Sequence, residues 1–249
     1  MKGLDRPAPL KDVGIDQKLD SQIPLDATFR DEAGRTVKLG EYFGKRPVIM
    51  ALVYYQCPML CNRVLDGLVS ALRILSFDPG QEFDVVVVSF DAREQPPLAQ
   101  AKKEAYLKAY GRPQTSGGWH FLTGDLNSIH ALTKSVGFRY TWDAHSNQFA
   151  HASAIIEITP QGRVSSYYYG VEFPPKDMRL GLIQASQNKI GSPVDQILLF
   201  CFHYDPTTGR YTPVAMNILR LAGGATLLLL GGFVFVMLRR DSNEGQRAA

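Results

Sequence analysis

The chain has 249 residues, of which 45% are hydrophobic and 20% are charged, and its formal net charge is +3. This composition is typical of a globular protein with a sizeable core, and the small net charge, without a dense run of lysine or arginine, argues against a nucleic-acid partner. Three cysteines are too few for a disulfide framework, so their importance lies in their chemistry rather than in bulk stability.

The first part of the chain predicts an arm followed by a hairpin. Residues 1–24 are polar and contain three prolines, as expected of an extended arm. They lack the apolar stretch of a secretion signal, so we expect an export signal to be encoded upstream of Met1 or supplied in another way. The segment ATFRDEAGRTVKL, 27–39, alternates around Gly34 and predicts a β-hairpin.

Strands and helices alternate through the middle of the chain. Short apolar runs predict strands, whereas apolar residues at helical spacing and prolines at helix starts predict helices. In chain order, the sequence predicts a strand at 46–55, a helix that opens at Pro58 and stops before the turn at 77–80, a strand at 83–91, a helix at 96–111, a strand at 119–125, a helix from Asp125 to about Val136, a hairpin at 151–170 with its turn at 160–162, and a helix at 174–191. This order indicates an α/β domain at 25–190 with a central sheet flanked by helices.

The C-terminal region predicts a single membrane anchor. Residues 221–238 carry no charge, and as a helix they would span roughly 27 Å, close to the hydrocarbon thickness of a bilayer. We therefore expect a juxtamembrane linker at 191–213, a transmembrane helix at 214–238 and a short polar tail at 239–249.

Two cysteines, Cys57 and Cys61, follow the strand predicted at 46–55, where α/β proteins place functional sites. With Pro58 as the first helical residue, Cys57 is the N-cap and Cys61 lies one turn on, so that both sulfurs share one face of a helix start that favours thiolates. The pair suits a reversible disulfide, and equally two thiolates that bind a soft metal such as Cu(I). Thioredoxin-type oxidoreductases have two residues between their cysteines; the three found here leave room for a metal between the sulfurs.

A third ligand would complete a copper site, and five histidines compete for that role. His151 is a candidate by position, since it is expected to begin a strand directly after a polar loop, where an imidazole can overhang the sheet edge. Three others are expected to be packing, surface or solvated residues: His120, His130 and His145. Cys201 and His203 have a Cys-x-His spacing, but in an apolar juxtamembrane stretch we expect Cys201 to be buried or interfacial.

Three blocks of the chain resemble the Sco/SenC family, in the same order: YYQCPMLCNRVLDGL, VVVVSFDAREQP and QFAHASAIIEITPQGRV. The resemblance covers roughly residues 25–190. It implies a thioredoxin-like fold, and it implies a membrane-anchored copper metallochaperone that helps to assemble the dinuclear copper centre of cytochrome c oxidase.

The resemblance also implies roles for particular residues. Cys57 and Cys61 fall on the family's two thiolate ligands for Cu(I) or Cu(II), and His151 falls on its histidine ligand. Asp91 falls on the motif aspartate, which would lie beside the metal, fix a loop or cap the strand end.

The chain departs from the family pattern at three places. Ala150 stands where the family commonly has an acidic residue, and Glu94-Gln95 stands where a second aspartate is frequent. Both changes lead us to expect fewer carboxylates near the site. The anchor is C-terminal, whereas the family typically has an N-terminal one.

We expect a single-pass protein of the cytoplasmic membrane whose domain lies on the periplasmic side and supplies copper to the copper-binding subunit of cytochrome c oxidase or to another copper protein. The alternative is a membrane-tethered thiol–disulfide reductase that keeps the oxidase's copper-ligand cysteines reduced; it would use Cys57 and Cys61 without needing His151. A third possibility is a non-catalytic scaffold in oxidase assembly, for which the cysteines are incidental.

Overall fold

A computed structural model of the chain describes most of the predicted domain. The described residues are 12–190, 204–205, 210–211, 223–224, 226–228 and 230–231. The chain divides into two compact units, 1–191 and 192–249.

The strands follow the order of the predicted ones, with three additions in the first unit. They are β1 Gly14–Ile15, β2 Thr28–Arg30, β3 Thr36–Lys38, β4 Val48–Val53, β5 Asp84–Ser89, β6 Trp119–Gly124, β7 Phe138–Asp143, β8 Gln148–His151, β9 Ala154–Ile158, β10 Val164–Tyr169, and, in the second unit, β11 Tyr204–Asp205 and β12 Arg210–Tyr211. β11 and β12 form an antiparallel pair.

Four α-helices lie in the first unit, all where the sequence predicts them to within a few residues. They are α1 Leu60–Ile74, α2 Pro96–Tyr110, α3 Leu126–Ser135 and α4 Pro175–Ser186. α2 begins at a proline and ends at Gly111, whose φ of +79° is the left-handed conformation that closes many helices. The side chain of Asp125 caps α3 by accepting the backbone N–H groups of Asn127 and Ser128.

A seven-stranded mixed sheet forms the centre of the domain, in the order β10-β9-β4-β5-β6-β2-β3. β4, β5 and β6 are parallel to one another, and the outer strands pair antiparallel. Every residue of β4 and β5 is buried, because helices and loops cover both faces of the parallel strands. α1 contacts α2 on one side and α4 on the other. The α/β prediction with a central mixed sheet and flanking helices is therefore confirmed.

A second sheet, in the order β1-β7-β8, was not predicted. The arm supplies β1, which pairs with β7, so the part of 1–24 that the structure describes adds a strand to the domain. β7 and β8 form an antiparallel hairpin in which Tyr140 faces His151 and Trp142 faces Phe149. This hairpin carries His151 toward the end of the central sheet where the cysteines lie.

The predicted transmembrane helix, 214–238, lies mostly outside the described residues. Within the described part of the chain, no helix combines the length and the apolar character needed to cross a membrane.

Candidate metal centre

The two cysteines lie at the carboxyl end of β4, on the turn that leads into α1. Helix α1 begins at Leu60, with Met59 as its N-cap, so the prediction that Pro58 opens the helix and Cys57 caps it is wrong. The chain makes a tight turn first, in which the N–H of Cys57 donates to the carbonyl of Tyr54 at 3.2 Å. Met59 then has φ −142° and ψ −72°, which is not helical, and the helix starts one residue later.

The sulfur of Cys57 nevertheless faces the helix start. Its Sγ accepts the backbone N–H of Cys61 at 3.3 Å, and therefore satisfies one of the N–H groups that a helix start leaves free. The sulfur of Cys61 accepts the backbone N–H of Tyr54 at 3.4 Å. The two residues are 5% and 1% exposed, so both sulfurs are largely shielded from solvent.

His151 reaches the sulfurs from the β7–β8 hairpin. It is the last residue of β8, so the expectation that it begins a strand of the following hairpin is wrong; Ala152 and Ser153 separate it from β9. Its Nε2 lies 3.2 Å from the Sγ of Cys61. Its Nδ1 lies 2.8 Å from the carbonyl oxygen of Ala152, which can only accept a hydrogen bond. Nδ1 therefore carries the proton of the neutral ring, and the lone pair of Nε2 points toward the sulfurs.

The structure brings the three ligands of the sequence prediction together. The Sγ atoms of Cys57 and Cys61 and a ring nitrogen of His151 all lie within 4.8 Å of one another. Among the residues the structure describes, no other group of three histidine, cysteine or acidic side chains converges in this way. Two sulfurs and one imidazole at this spacing form a set of donors that a soft or borderline metal ion prefers.

The two thiols have opposite acid–base character. Hydrogen bonding from the Cys61 thiol lowers the pKa of Cys57 far below that of a free thiol, against the effect of burial. Burial raises the pKa of Cys61, and its hydrogen bond to Cys57 raises it further. One proton is in effect shared by the pair, and Cys57 holds the thiolate. Both cysteines are reduced rather than joined as a disulfide.

Aromatic rings form the walls of the site. The rings of Phe90, Tyr54 and Phe138 lie with their centroids 5.2, 6.0 and 6.2 Å from the imidazole of His151. The ring of Phe149 packs edge-on against those of Tyr54 and Phe90. Such walls limit the access of water and lower the local dielectric, which strengthens bonds between thiolates and a cation.

Glu94 holds the loop before Cys57. One oxygen of its buried carboxylate accepts the N–H of Tyr55 and the other that of Gln56, both at 2.7 Å. The hydroxyl of Ser89 donates to the same carboxylate at 2.6 Å. Burial raises the pKa of Glu94, whereas these three donors oppose the rise. The expectation of fewer carboxylates near the site is therefore wrong at this position, because the Glu94 carboxylate binds the backbone N–H groups directly before Cys57.

Asp91 anchors a second loop instead of joining the ligand cluster. Its buried carboxylate accepts the backbone N–H of Arg93 at 3.0 Å and pairs with the guanidinium at 2.7 Å. That guanidinium lies 4.5 Å from the ring centre of Trp142, on β7. Asp91 therefore acts through Arg93 to connect the end of β5 to the hairpin that carries His151.

The other histidines are distant from the cluster or outside the described residues. His120 packs against Tyr42 with the two rings tilted and their centroids 4.4 Å apart, and burial lowers the pKa of His120 to about 4. His130 and His145 are exposed, as the sequence predicts. Cys201 and His203 lie outside the described residues.

Sequence reasoning missed the hairpin that positions His151, although a signal was present. In FRYTWDAHSNQFAH, the aromatic residues Phe138, Tyr140 and Trp142 alternate before a polar turn, and Phe149 and His151 alternate after it. That alternation is typical of a β-hairpin. Glu94 gave no signal of its own, because two of its three hydrogen-bond donors are backbone N–H groups 38 and 39 residues earlier.

Comparison with known families gives one match. The family profile described as SCO1/SenC matches residues 17–184, about two thirds of the chain. No curated protein matches the chain.

Solved structures share the fold at low sequence identity. A SCO1/SenC family lipoprotein from Bacillus anthracis is 15% identical, with 70% of this chain and 99% of that chain covered and a TM-score of 0.56. Arabidopsis thaliana ScoI with copper bound is 16% identical, with 69% and 99% covered and a TM-score of 0.53. BsSco, described as a member of the Sco family of cytochrome c oxidase assembly proteins with a disulfide switch, is 22% identical, with 70% and 99% covered and a TM-score of 0.51. These likenesses establish the fold.

Proposed function

Because this chain belongs to the SCO1/SenC family, we propose that it is a membrane-attached copper metallochaperone that binds copper through Cys57, Cys61 and His151. The observation that carries the proposal is the convergence of two sulfurs and a ring nitrogen within 4.8 Å at the end of the central sheet. The family relative ScoI from Arabidopsis thaliana is described with copper bound, which supports the same metal here.

The donor set favours a soft or borderline metal over the hard cations that are common in proteins. Mg²⁺ and Ca²⁺ prefer oxygen ligands. Zinc also binds two thiolates and one imidazole in catalytic sites, so the choice of copper is supported by the copper-bound family relative. Two thiolates alone can hold Cu(I), and an added imidazole suits Cu(II) as well. The lone pair of His151 Nε2 and the low pKa of Cys57 supply two donors that need not lose a proton when the metal binds.

The site lies in a domain that we propose to be held at the membrane by residues 214–238 and to face the periplasm. The uncharged run at 221–238 and the description of the Bacillus anthracis relative as a lipoprotein both support membrane association. The recipient of copper would be the copper-binding subunit of cytochrome c oxidase or another copper protein, in line with the description of BsSco.

Copper content and its spectrum test the proposal. The full-length chain should bind about one copper and show strong thiolate-to-Cu(II) charge-transfer absorption. Cys57→Ala or Cys61→Ala should abolish both. His151→Ala should weaken Cu(II) binding far more than Cu(I) binding, because two thiolates can hold Cu(I) without it. His145→Ala, at an exposed histidine of the neighbouring turn, is the matched control and should change neither.

Two results would contradict the assignment. Unchanged copper binding by either cysteine variant would remove the sulfurs from the site. Equal loss of Cu(I) and Cu(II) by His151→Ala would indicate misfolding rather than a lost ligand, and thermal denaturation of the metal-free protein would reveal it.

The acid–base asymmetry of the cysteines supports a second candidate function, a thiol–disulfide reductase. Cys57 would attack a substrate disulfide as the thiolate, and Cys61 would then displace the reduced substrate and form the Cys57–Cys61 disulfide. Turnover in an insulin-reduction assay that His151→Ala leaves intact would favour the reductase, whereas stoichiometric copper binding that requires His151 favours the chaperone.

A further inference from the structure

The sulfur atoms of the domain differ sharply in exposure. Residues 12–190 contain five sulfur side chains: Met50, Cys57, Met59, Cys61 and Met178. Four of them are buried, at 5% exposure or less, whereas Met59 is 70% exposed. Met59 is therefore the only soft donor that this part of the chain presents to solvent.

The position of Met59 is as informative as its exposure. It lies midway between the two cysteines and is the N-cap of α1. Its backbone is held at the helix start beside the site, since its carbonyl accepts the N–H of Arg63 at 3.2 Å and the Sγ of Cys57 accepts the N–H of Cys61 at 3.3 Å. An exposed methionine contributes nothing to the core, and its side chain makes no cap hydrogen bond at the helix start.

A buried metal site poses a problem for delivery. Two sulfurs that are 5% and 1% exposed cannot both be approached by the ligands of an acceptor protein. Metal release from thiolates proceeds most readily when a new bond forms as an old one breaks, because a bare ion in an apolar pocket is very costly. An exposed soft donor beside the pair would allow that exchange to begin at the surface.

We propose that the thioether of Met59 is a transfer ligand for Cu(I), intermediate between the buried sulfur pair and the acceptor. This inference rests on the proposed function and adds an exit route to it. In the step, a Cu(I)–Sδ bond to Met59 forms as the Cu(I)–Sγ bond to Cys57 breaks. Sulfur donors of the acceptor then form bonds to Cu(I) as its bonds to Met59, His151 and Cys61 break in turn, and Cys61 takes a proton back from solvent. Copper remains Cu(I) throughout, Cys57 remains a thiolate, and no electron is transferred.

The chemistry of a thioether is suitable for a ligand that binds Cu(I) only transiently. It is neutral and binds Cu(I) more weakly than a thiolate does, so it does not trap the ion on the surface. It is also a poor ligand for Cu(II), so the route would release copper only in the reduced state. The acceptor is therefore expected to carry soft sulfur ligands.

The test compares copper transfer from full-length variants. Cu(I)-loaded protein is mixed with a Cu(I)-specific chelator such as bicinchoninate, and the transfer rate and the equilibrium affinity are measured. Met59→Leu keeps the size and apolar character of the side chain but removes the sulfur. It should slow transfer about tenfold, equivalent to about 1.4 kcal/mol in the barrier, with the affinity unchanged. Ile74→Ala, at an equally exposed apolar residue of α1, is the matched control and should transfer at the wild-type rate.

A second readout follows the methionine directly. With methyl-labelled methionine, the Met59 resonance should shift or broaden when the Cu(I)-loaded protein meets the chelator, whereas those of buried Met50 and Met178 should not. Wild-type transfer by Met59→Leu would overturn this inference and leave the proposed function standing. Failure of the wild-type chain to bind Cu(I) would overturn both.

Discussion

Glu157 is a carboxyl group in the middle of the central sheet, on β9, and it is fully buried. Its Oε2 lies 3.1 Å from the hydroxyl of Tyr168, and that hydroxyl lies 3.0 Å from the carbonyl oxygen of Asp177, at the start of α4. The other oxygen, Oε1, has no partner. A protonated Glu157 fits this series of hydrogen bonds. Its carboxyl group donates to the hydroxyl of Tyr168, and that hydroxyl then donates to the backbone carbonyl of Asp177. Burial raises the pKa of Glu157 well above that of a free glutamate, in agreement with the neutral form.

This buried acid should make the domain less stable as the pH rises. The folded state retains a proton that the unfolded chain releases near pH 4.5, so the unfolded state binds fewer protons above that pH. The stability is therefore complete below pH 4.5 and is lost as the pH rises toward the raised pKa. Glu157→Gln keeps a donor for Tyr168 without an ionisable group. It should raise the free energy of unfolding at pH 8 by about 1 kcal/mol or more, since one pKa unit corresponds to about 1.4 kcal/mol.

Urea denaturation at pH 5 and pH 8 measures this effect. The difference in unfolding free energy between Glu157→Gln and the wild type should be larger at pH 8 than at pH 5. Glu104→Gln, at an exposed glutamate of α2, is the control and should leave the pH dependence as it is. An equal change at both pH values would show that Glu157 is ionised in the folded protein.

At the scale of elements, Asn62 joins the two helices beside the candidate metal centre, α1 and α2. Its side-chain amide donates to the carbonyl of Cys57 at 3.2 Å, and its side-chain oxygen accepts the ammonium of Lys102, on α2, at 2.8 Å. The hydroxyl of Tyr106, also on α2, lies 3.4 Å from the Asn62 backbone carbonyl. Asn62 therefore closes the 57–62 loop, and α2 holds it in place, so we regard it as a positioning residue for Cys57.

Removal of this connection should alter the cysteine pair more than the fold. Asn62→Ala should destabilise the domain by about 1 kcal/mol, the usual contribution of one hydrogen bond. It should also shift the reduction potential of the Cys57–Cys61 pair and the Cu(II) charge-transfer band, because the Cys57 backbone is freed. Lys102→Met should change the same two quantities in the same direction, and Lys108→Met, at an exposed lysine of the same helix, should not. Loss of stability with an unchanged potential and band would reduce Asn62 to a purely structural residue.

For the whole molecule, the proposed function predicts the cellular compartment in which the candidate metal centre lies. A cysteine pair that cycles between disulfide and copper-bound forms needs an oxidising compartment, which in bacteria lies outside the cytoplasmic membrane. A single helix at 214–238 would put the domain and the tail at 239–249 on opposite sides. Arg239 and Arg240 would then lie in the cytoplasm, as the positive-inside rule favours, and Arg220 would extend its long stem to the outer interface.

Reporters fused after Ala249 measure this topology. Alkaline phosphatase at that position should be inactive, and a fluorescent protein that folds only in the cytoplasm should be bright. Reporters fused ahead of residue 214 should give the reverse pattern. Active phosphatase after Ala249 would place the cysteines in the reducing cytoplasm, where copper delivery to an oxidase could not take place.

Local sequence patterns were enough to predict the layers of the domain and two of the candidate ligands. The apolar runs at 46–55 and 83–91 fill two strands of the parallel core, because burial on both faces requires an unbroken apolar run. Cys57 and Cys61 are four residues apart, so any turn or helix start keeps them close. The buried strands and the spacing of the cysteines depend only on residues close together in the chain, so local sequence patterns are sufficient to predict them.

The remaining parts of the site come together through contacts between segments that are distant in the chain. Local sequence left His151 as one of several histidines, and the family resemblance selected it. The fold brings its Nε2 to 3.2 Å from the sulfur of Cys61, 90 residues away, because β7 and β8 pair into a hairpin and not because of any local pattern. The predicted start of α1 at Pro58 is too early, because Cys57 is part of the turn that begins at Tyr54 and the helix begins only at Leu60. Strand pairing and backbone hydrogen bonds to distant carboxylates join segments that are far apart in the chain. The local sequence of one segment does not predict which other segment it contacts, so these contacts are known only from the folded structure.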